Sequence, residues 1–486
     1  MTSIRQPFGP PDSGPHAPDP PTGSTDITVK SSVIPSTLSA DISVWARVAA
    51  LSFGGPAGQI AVMHRIIVDE QRWLSEDRFL HALNYCMLLP GPEAQQLATY
   101  IGWLRHGVRG GLLAGGLFIL PGFVSILALS VVYAEYQQLP LLTGLFLGLK
   151  AAVIAIVVEA VVRIGRRVLK SRLLILLAVA SFIAIFAFQA PFPLVIASAA
   201  LMGLIVHRCW PEMLSAPAGH GPHITPQPTT TDREVTNTSV RLEDDGRPRW
   251  GPSLGVLVIA AALWFGPLLV LRHWLGANSI WVQEGMFFSQ VAVVTFGGAY
   301  AVLTYVAQQA VDHFGWLQPG EMLDGLGLAE TTPGPLIMVV QFVGFLAAYR
   351  NPGPLSPLTA GVLGAMVTAW VTFVPCFCWI FLGAPFVERL RSNRALAVAL
   401  AAITAAVVGV ILKLAVWFAI HTMFGQVVTQ DWLGMSLPVP VWESIRPVTA
   451  GIAIVAFSLT FIGKRGMAVT LAICGSLGLL TTWLWG

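Results

Sequence analysis

Within the apolar stretches of this sequence two polar tracts stand out, each beside a Pro-Gly-Pro triplet. After Pro90, Gly91 and Pro92 come Glu93, Gln95, Gln96 and Thr99; before Pro333, Gly334 and Pro335 stand Glu330, Thr331 and Thr332, with Gln341 beyond. Such a triplet breaks a helix, so a half-helix begins after Pro92. Its free N–H groups and positive dipole end then face whatever occupies the break. The chemistry on offer is anion binding, by Gly91, Pro92, Gln95, Gln96 and Thr99 from the first break and by Thr331, Thr332 and Gly334 from the second. Glu93 and Glu330 oppose an anion unless they carry a proton, which makes them candidates for coupling. Two plainer readings stay open: a kinked helix whose side chains satisfy loose backbone, and a Glu93 that caps its helix and points away from any pathway.

Lys150 lies nine residues into an apolar segment. A cation at such depth costs about 2.5–3.5 kcal/mol on insertion scales, so it needs a partner, either a translocated dianion or a buried carboxylate. Glu159 and Arg163 are four apart and pair with each other on one helix face. Lys413, which has no such neighbour, fits either a structural or a functional role. The five cysteines, Cys86, Cys209, Cys376, Cys378 and Cys474, form no disulfide framework, and scattered histidines make no metal set. No phosphate-binding loop, nucleophile elbow or paired-histidine helix is present. The expectation is a protein that is not an enzyme and uses no cofactor, no metal and no nucleic acid.

The elements that must hold these residues are membrane helices. Of 486 residues, 55% are hydrophobic and 11% charged, and the mean hydropathy is +0.70; a soluble chain carries about twice that charged fraction. Apolar runs near 41–63, 79–104, 111–134, 141–162, 173–188, 191–206, 254–271, 280–306, 321–349, 358–383, 395–419, 447–463 and 467–485 predict thirteen spans in an all-α polytopic membrane protein. Residues 1–40 read as a disordered tail, 41–207 as a first membrane repeat, 208–253 as a polar linker, 254–274 as a linking helix and 280–486 as a second repeat. With the N-terminus in the cytoplasm, most Arg and Lys fall inside and the C-terminus outside. The outer loops then receive Arg65, Arg72, Arg78, Arg272, Arg350 and Arg446.

The two halves align without a gap for forty residues. Phe53, Gly54 and Gly55 match Phe296, Gly297 and Gly298; Trp73 matches Trp316; the two Pro-Gly-Pro triplets match each other; every pair is 243 apart. Further on the offset grows to 250 and then 275, placing an insertion within 414–446. Six spans plus one linking helix turn the second half upside down, the inverted-repeat logic of secondary transporters. Duplication for packing alone explains the repeat less well, because what recurs is helix-breaking sequence. Glycines at 107, 111 and 115, and at 144 and 148, suit close helix packing.

FGGPAGQIAVMHRIIVDEQRWL followed by LLPGPEAQQLATYIG, and FGGAYAVLTYVAQQAVDHFGWL followed by LAETTPGPLIMVVQFVG, resemble the chromate ion transporter family. The resemblance spans both halves and implies a long, two-domain member. It implies export of chromate from the cytoplasm, driven by the membrane potential or proton gradient and giving chromate resistance, with sulfate as a competitor. The family motif falls on Phe53, Gly54, Gly55, Pro56, Trp73, Pro90, Gly91, Pro92, Gln96, Gly102 and Pro121. In the second half it falls on Phe296, Gly297, Gly298, Trp316, Glu330, Thr332, Pro333, Gly334 and Pro335. Glu93 departs from the family pattern, which usually has a neutral residue there. The runner-up is a sulfate or other oxyanion permease, and a membrane enzyme or a sensor with the linker as partner site stands further off. Expected partners are the oxyanion and the lipid bilayer, and a homo-oligomer stays open. An inner-membrane location with a cytoplasmic linker predicts that a cysteine placed at Ser239 stays unlabelled by an impermeant thiol reagent in intact cells; ready labelling reverses the orientation or breaks the inverted-repeat reading.

Overall fold

The computed structural model describes residues 37–209, 250–296, 298–383, 393–432 and 435–485. Most of the expected tail and linker, with Ser239, Gly297, Arg389 and Arg391, lies outside the described residues. Among those described, seven helices are long and apolar enough to cross a membrane, and shorter apolar helices accompany them. The protein is a helical, multi-pass membrane protein.

Four of the thirteen apolar segments fold back on themselves as pairs of half-length helices rather than running straight. Helix α1 (Leu38–Leu51) is followed by α2 (Gly55–His64), which runs on through a π turn, Arg65–Glu70. Collinear halves would hold Arg47 and Glu70 more than about 30 Å apart, yet their side chains pair at 2.6 Å, and the Trp45 and Trp73 rings lie 6.0 Å apart. The hinge is Gly54 and Gly55, with φ of 87° and 69°, consecutive values that only glycine adopts readily. Next, α3 (Glu76–Cys86) turns at the Pro-Gly-Pro triplet into α4 (Glu93–Tyr136) and lies antiparallel to its start, with Tyr85 5.2 Å from Tyr100. In the second half α9 (Ile280–Val294) and α10 (Ala299–Gln308) fold back so that Phe287 meets Tyr305 at 5.5 Å. Finally, α11 (Glu321–Thr331) and α12 (Val339–Arg350) close with Arg350 on Glu321 at 2.6 Å. A hydropathy window merges two such halves into one apparent span, although α1, at 14 residues and about 21 Å, is too short to cross the roughly 30 Å core alone.

Each hairpin has both ends on one face. Arg105 ties the first pair together: it bonds Asp41 at 2.6 and 2.9 Å, and its guanidinium lies 3.7 Å over Trp73. The second pair is tied by Arg350, which bonds Glu321 and the Trp316 carbonyl, the latter at 3.0 Å. At His106 and Gly107 the α4 helix breaks sharply, so Gly107 (φ 62°) is a hinge rather than a packing contact. From there the second part of α4, α5 (Pro140–Val168), α6 (Arg172–Phe186), α7 (Phe192–Cys209) and α8 (Trp250–Leu275) carry the chain to the opposite face. The second pair of hairpins therefore enters from that side. The repeats remain inverted, with Arg65, Arg72 and Arg78 on the same face as Arg105, and Arg272 and Arg350 opposite.

The long helices of the second half are α13 (Pro357–Gly383) and α14 (Arg394–Met423), followed by α15 (Pro447–Phe457) and α16 (Met467–Trp485). The halves interlock. Gly144 and Gly148 of α5 leave room for Cys474 and Gly478 of α16, while Gly203 of α7 leaves room for Ala399 and Ala402 of α14. The insertion is a β-hairpin, β1 (Val427–Trp432) against β2 (Met435–Pro440). Its Ser436 amide bonds the Ala187 carbonyl at 2.9 Å in the α6–α7 turn.

In a background lacking the native cysteines, single cysteines at Gln71 and Arg109 should label from the same face, and one at Asn278 from the other. Thirteen continuous crossings would instead group Gln71 with Asn278.

Candidate functional site

The tips of the four hairpins cross. The Gly91 amide donates to the Thr295 carbonyl at 2.8 Å, and the Gly334 amide donates to the Ser52 carbonyl at 2.9 Å. These two bonds are one bond written twice, since the repeat offset of 243 carries Ser52 to Thr295 and Gly91 to Gly334. Each Pro-Gly-Pro tip thus satisfies the Phe-Gly-Gly tip of the other repeat. Gln59 adds a bond from its amide to the Gly334 carbonyl at 2.5 Å. Each triplet also rests on a proline-containing stretch of the opposite long helix. Gly334 lies on Gly122, beside Pro121, and Gly91 lies on Cys376, beside Pro375.

Every outgoing half-helix starts at this crossing. A small space there is lined by Pro56 and Gln59 from the first turn of α2, Glu93 and Ala94 of α4, Ala299 of α10, and Leu336 and Ile337 leading into α12. Pro92, Gly298 and Pro335 complete the wall. Four positive helix ends meet at one point, and Glu93 is the one ionisable side chain in the lining. The space holds about 10 Å³, roughly one water, so the crossing is closed.

Sequence reasoning named the breaks, and the structure shows how each residue is held. Gln96 closes its own tip, donating from Nε2 to the Pro90 carbonyl at 2.8 Å. Gln95 donates to the Thr99 hydroxyl at 3.0 Å, which donates back to the Gln95 carbonyl at 2.9 Å. Thr331 and Thr332 bond the Leu328 and Ala329 carbonyls at 2.8 and 3.2 Å. These side-chain donors serve the hairpins, while Oε1 of Gln95, Gln96 and Gln341 is buried without a partner. The donors left for an anion are the backbone N–H groups of the first turns. Glu330 accepts a hydrogen bond from Tyr300, the second residue of α10, and its other oxygen is buried without a partner. Phe53 is exposed and Phe296 half-buried at their tips, and Gly297 lies outside the described residues.

Lys150 has the buried carboxylate as its partner. Its Nζ lies 3.1 Å from Asp324 Oδ2, which also accepts from the Tyr133 hydroxyl at 2.8 Å. Asp324 sits near the start of α11, about 10 Å of helix before the Thr331 break. Lys150 therefore stands off the crossing and binds the first repeat to the second. Asp324, Tyr133, Tyr300 and the bracing role of Arg350 escaped the sequence reading because their partners lie 29 to 191 residues away. The 243-residue register could have flagged Arg350, since it falls just beyond the position matching Arg105. Glu159 and Arg163 pair at 3.8 Å on their own helix.

Two repeats whose broken helices meet at a shared crossing define the class: a multi-pass membrane protein with the architecture of a transporter. A family model described as chromate transporter matches residues 42–204 and 282–479, and the chain belongs to that family. It is 30% identical over 396 residues to a chromate transport protein of Pseudomonas aeruginosa, covering 80% of this chain and 83% of the relative. It is 27% identical to a probable chromate transport protein of Synechococcus elongatus (75% and 80% covered). A chromate transport protein of Cupriavidus metallidurans is 26% identical, with 75% and 78% covered. No solved structure matches the chain.

Gly334→Ala should test the crossing. Its φ of 97° disfavours a side chain, and the new methyl would stand 3.0 Å from Gly122 Cα. A loss of about 1–3 kcal/mol is expected from the backbone conformation alone, read as a lowered midpoint of thermal unfolding in detergent. Gly107→Ala, strained but in open space, should cost less; equal midpoints for the two variants would remove the crossing as a stabilising contact.

Proposed function

We propose that this protein exports chromate, a tetrahedral dianion, from the cytoplasm across the cell membrane, with the anion bound at the crossing of the four tips. The convergence of four helix N-termini carries the reading, because backbone N–H groups and aligned dipoles favour an anion without needing a lysine or arginine at the spot. The names of the relatives supply chromate as the anion. Sulfate shares its shape and charge, and backbone donors distinguish the two poorly, so sulfate is the expected competitor and an oxyanion permease the second reading. The Arg and Lys bias favours a cytoplasmic Trp73 face. Glu93 opposes a dianion until it is protonated, which links anion entry to proton uptake, with Glu330 and Tyr300 as a further acidic pair beside the second break. Lys150, neutralised by Asp324, joins the two repeats rather than meeting the anion. Export of this kind would confer chromate resistance.

Everted membrane vesicles carrying the protein should accumulate labelled chromate, and excess sulfate should reduce the uptake. Gln96→Ala and Thr332→Ala should each lower it severalfold with membrane expression unchanged, while Glu93→Gln should transport with a flattened response to pH. Uptake no greater than in vesicles lacking the protein would end the proposal, and a wild-type pH profile in Glu93→Gln would leave Glu93 as a helix cap.

A further inference from the structure

Glu284 lies near the start of α9, fully buried, and neither carboxyl oxygen has a hydrogen-bond partner. The repeat register pairs it with Asp41, 243 residues earlier. Asp41 is also buried, but Arg105 bonds it twice and His106 lies 3.0 Å away. The same register carries Arg105 to Ala348 and His106 to Tyr349. Ala348 occupies the corresponding place in space: a methyl on Gly364 of α13 would touch Ala348 Cβ and lie 3.0 Å from Glu284 Oε2. One repeat has kept its carboxyl and lost the counter-charge.

No charge from a neighbouring element replaces it. On α12, Arg350 is bound to Glu321 and Tyr349 to Glu135; on α10, Tyr300 is bound to Glu330. The remaining ionisable groups on the packed elements are Tyr305 of α10, Arg272 and His273 at the end of α8, and Cys376 and Cys378 of α13. None of them bonds or pairs with Glu284 among the described residues. A bare carboxylate in such a place costs several kcal/mol, and the close approach of Gly344, Ala348 and Gly364 leaves no room for a compensating side chain.

We propose that Glu284 is a proton-binding site that holds its proton while the α9–α10 hairpin is packed on α12 and α13, and that loss of the proton releases this hairpin. The first repeat has a fixed ionic joint at the equivalent point, so the two halves differ in what they can do: the second carries the movable gate. This builds on the transport reading, since the released hairpin carries Thr295 and with it one half of the crossing.

Infrared difference spectra of the full-length protein in lipid, recorded across a pH step, should show a protonated carboxyl band that is lost in Glu284→Gln. In vesicles, Glu284→Gln should keep chromate exchange but reduce a severalfold response of net flux to pH to less than twofold. A band unchanged by the substitution, or a wild-type pH response, overturns the proposal. So does a Glu284→Gln protein that fails to fold, because the neutral amide mimics the packed form. The infrared result needs no transport: wild-type protein that moves no chromate yet shows the band removes the transport reading and leaves the proton site.

Discussion

A backbone that breaks inside a membrane must find partners for the groups it exposes, and here the two repeats supply them to each other. The reciprocal bonds from Gly91 to Thr295 and from Gly334 to Ser52 satisfy the two kinds of tip at once. Neither repeat can close its own tips this way. The inverted arrangement follows, because tips entering from one side can be capped head-on only by tips entering from the other. The proline-bearing stretches at Pro121 and Pro375 complete the seat for each triplet, so the helix breakers that sequence alone reads as disruptive are the contacts that hold the centre together.

The same geometry gathers charge. Four outgoing helices begin where the tips meet, while the ionic joints that brace the hairpins lie at their bases, at Arg105 and Arg350. Positive dipole ends are concentrated in the middle, the bracing ion pairs stand apart from it, and Lys150 is neutralised by Asp324. Only Glu93 among the lining residues breaks this separation, and it stands at the mouth of α4, where a carboxylate is favourable to the helix and unfavourable to an anion.

Much of this was legible in the sequence. Three motifs in register at a constant offset revealed the duplication, and glycine with proline inside apolar runs revealed the breaks. What periodicity cannot convey is the direction in which a chain leaves a break. Two apolar half-helices have the same hydropathy whether they continue or reverse, so 41–63 and 79–104 read as crossings. Reversal depends on the φ of Gly54 and Gly55 and on bonds such as Arg47 to Glu70, which exist only in the folded chain. Likewise, Lys150 announced its need for an anion, but the choice of Asp324 required knowing that α5 lies beside α11. The unpaired state of Glu284 was hidden for the opposite reason: it is defined by an alanine where its repeat-mate has an arginine.

The interlocking of the last helices has a consequence for biogenesis. Helix α5 is made early, yet the groove at Gly144 and Gly148 is filled only by α16, which leaves the ribosome after every other described helix. The first repeat must therefore wait in the bilayer with a small-residue face against lipid and its tips uncapped. Insertion and folding are separate events for this chain, and the nascent front half is the natural client of whatever assembly machinery shields unfinished membrane helices.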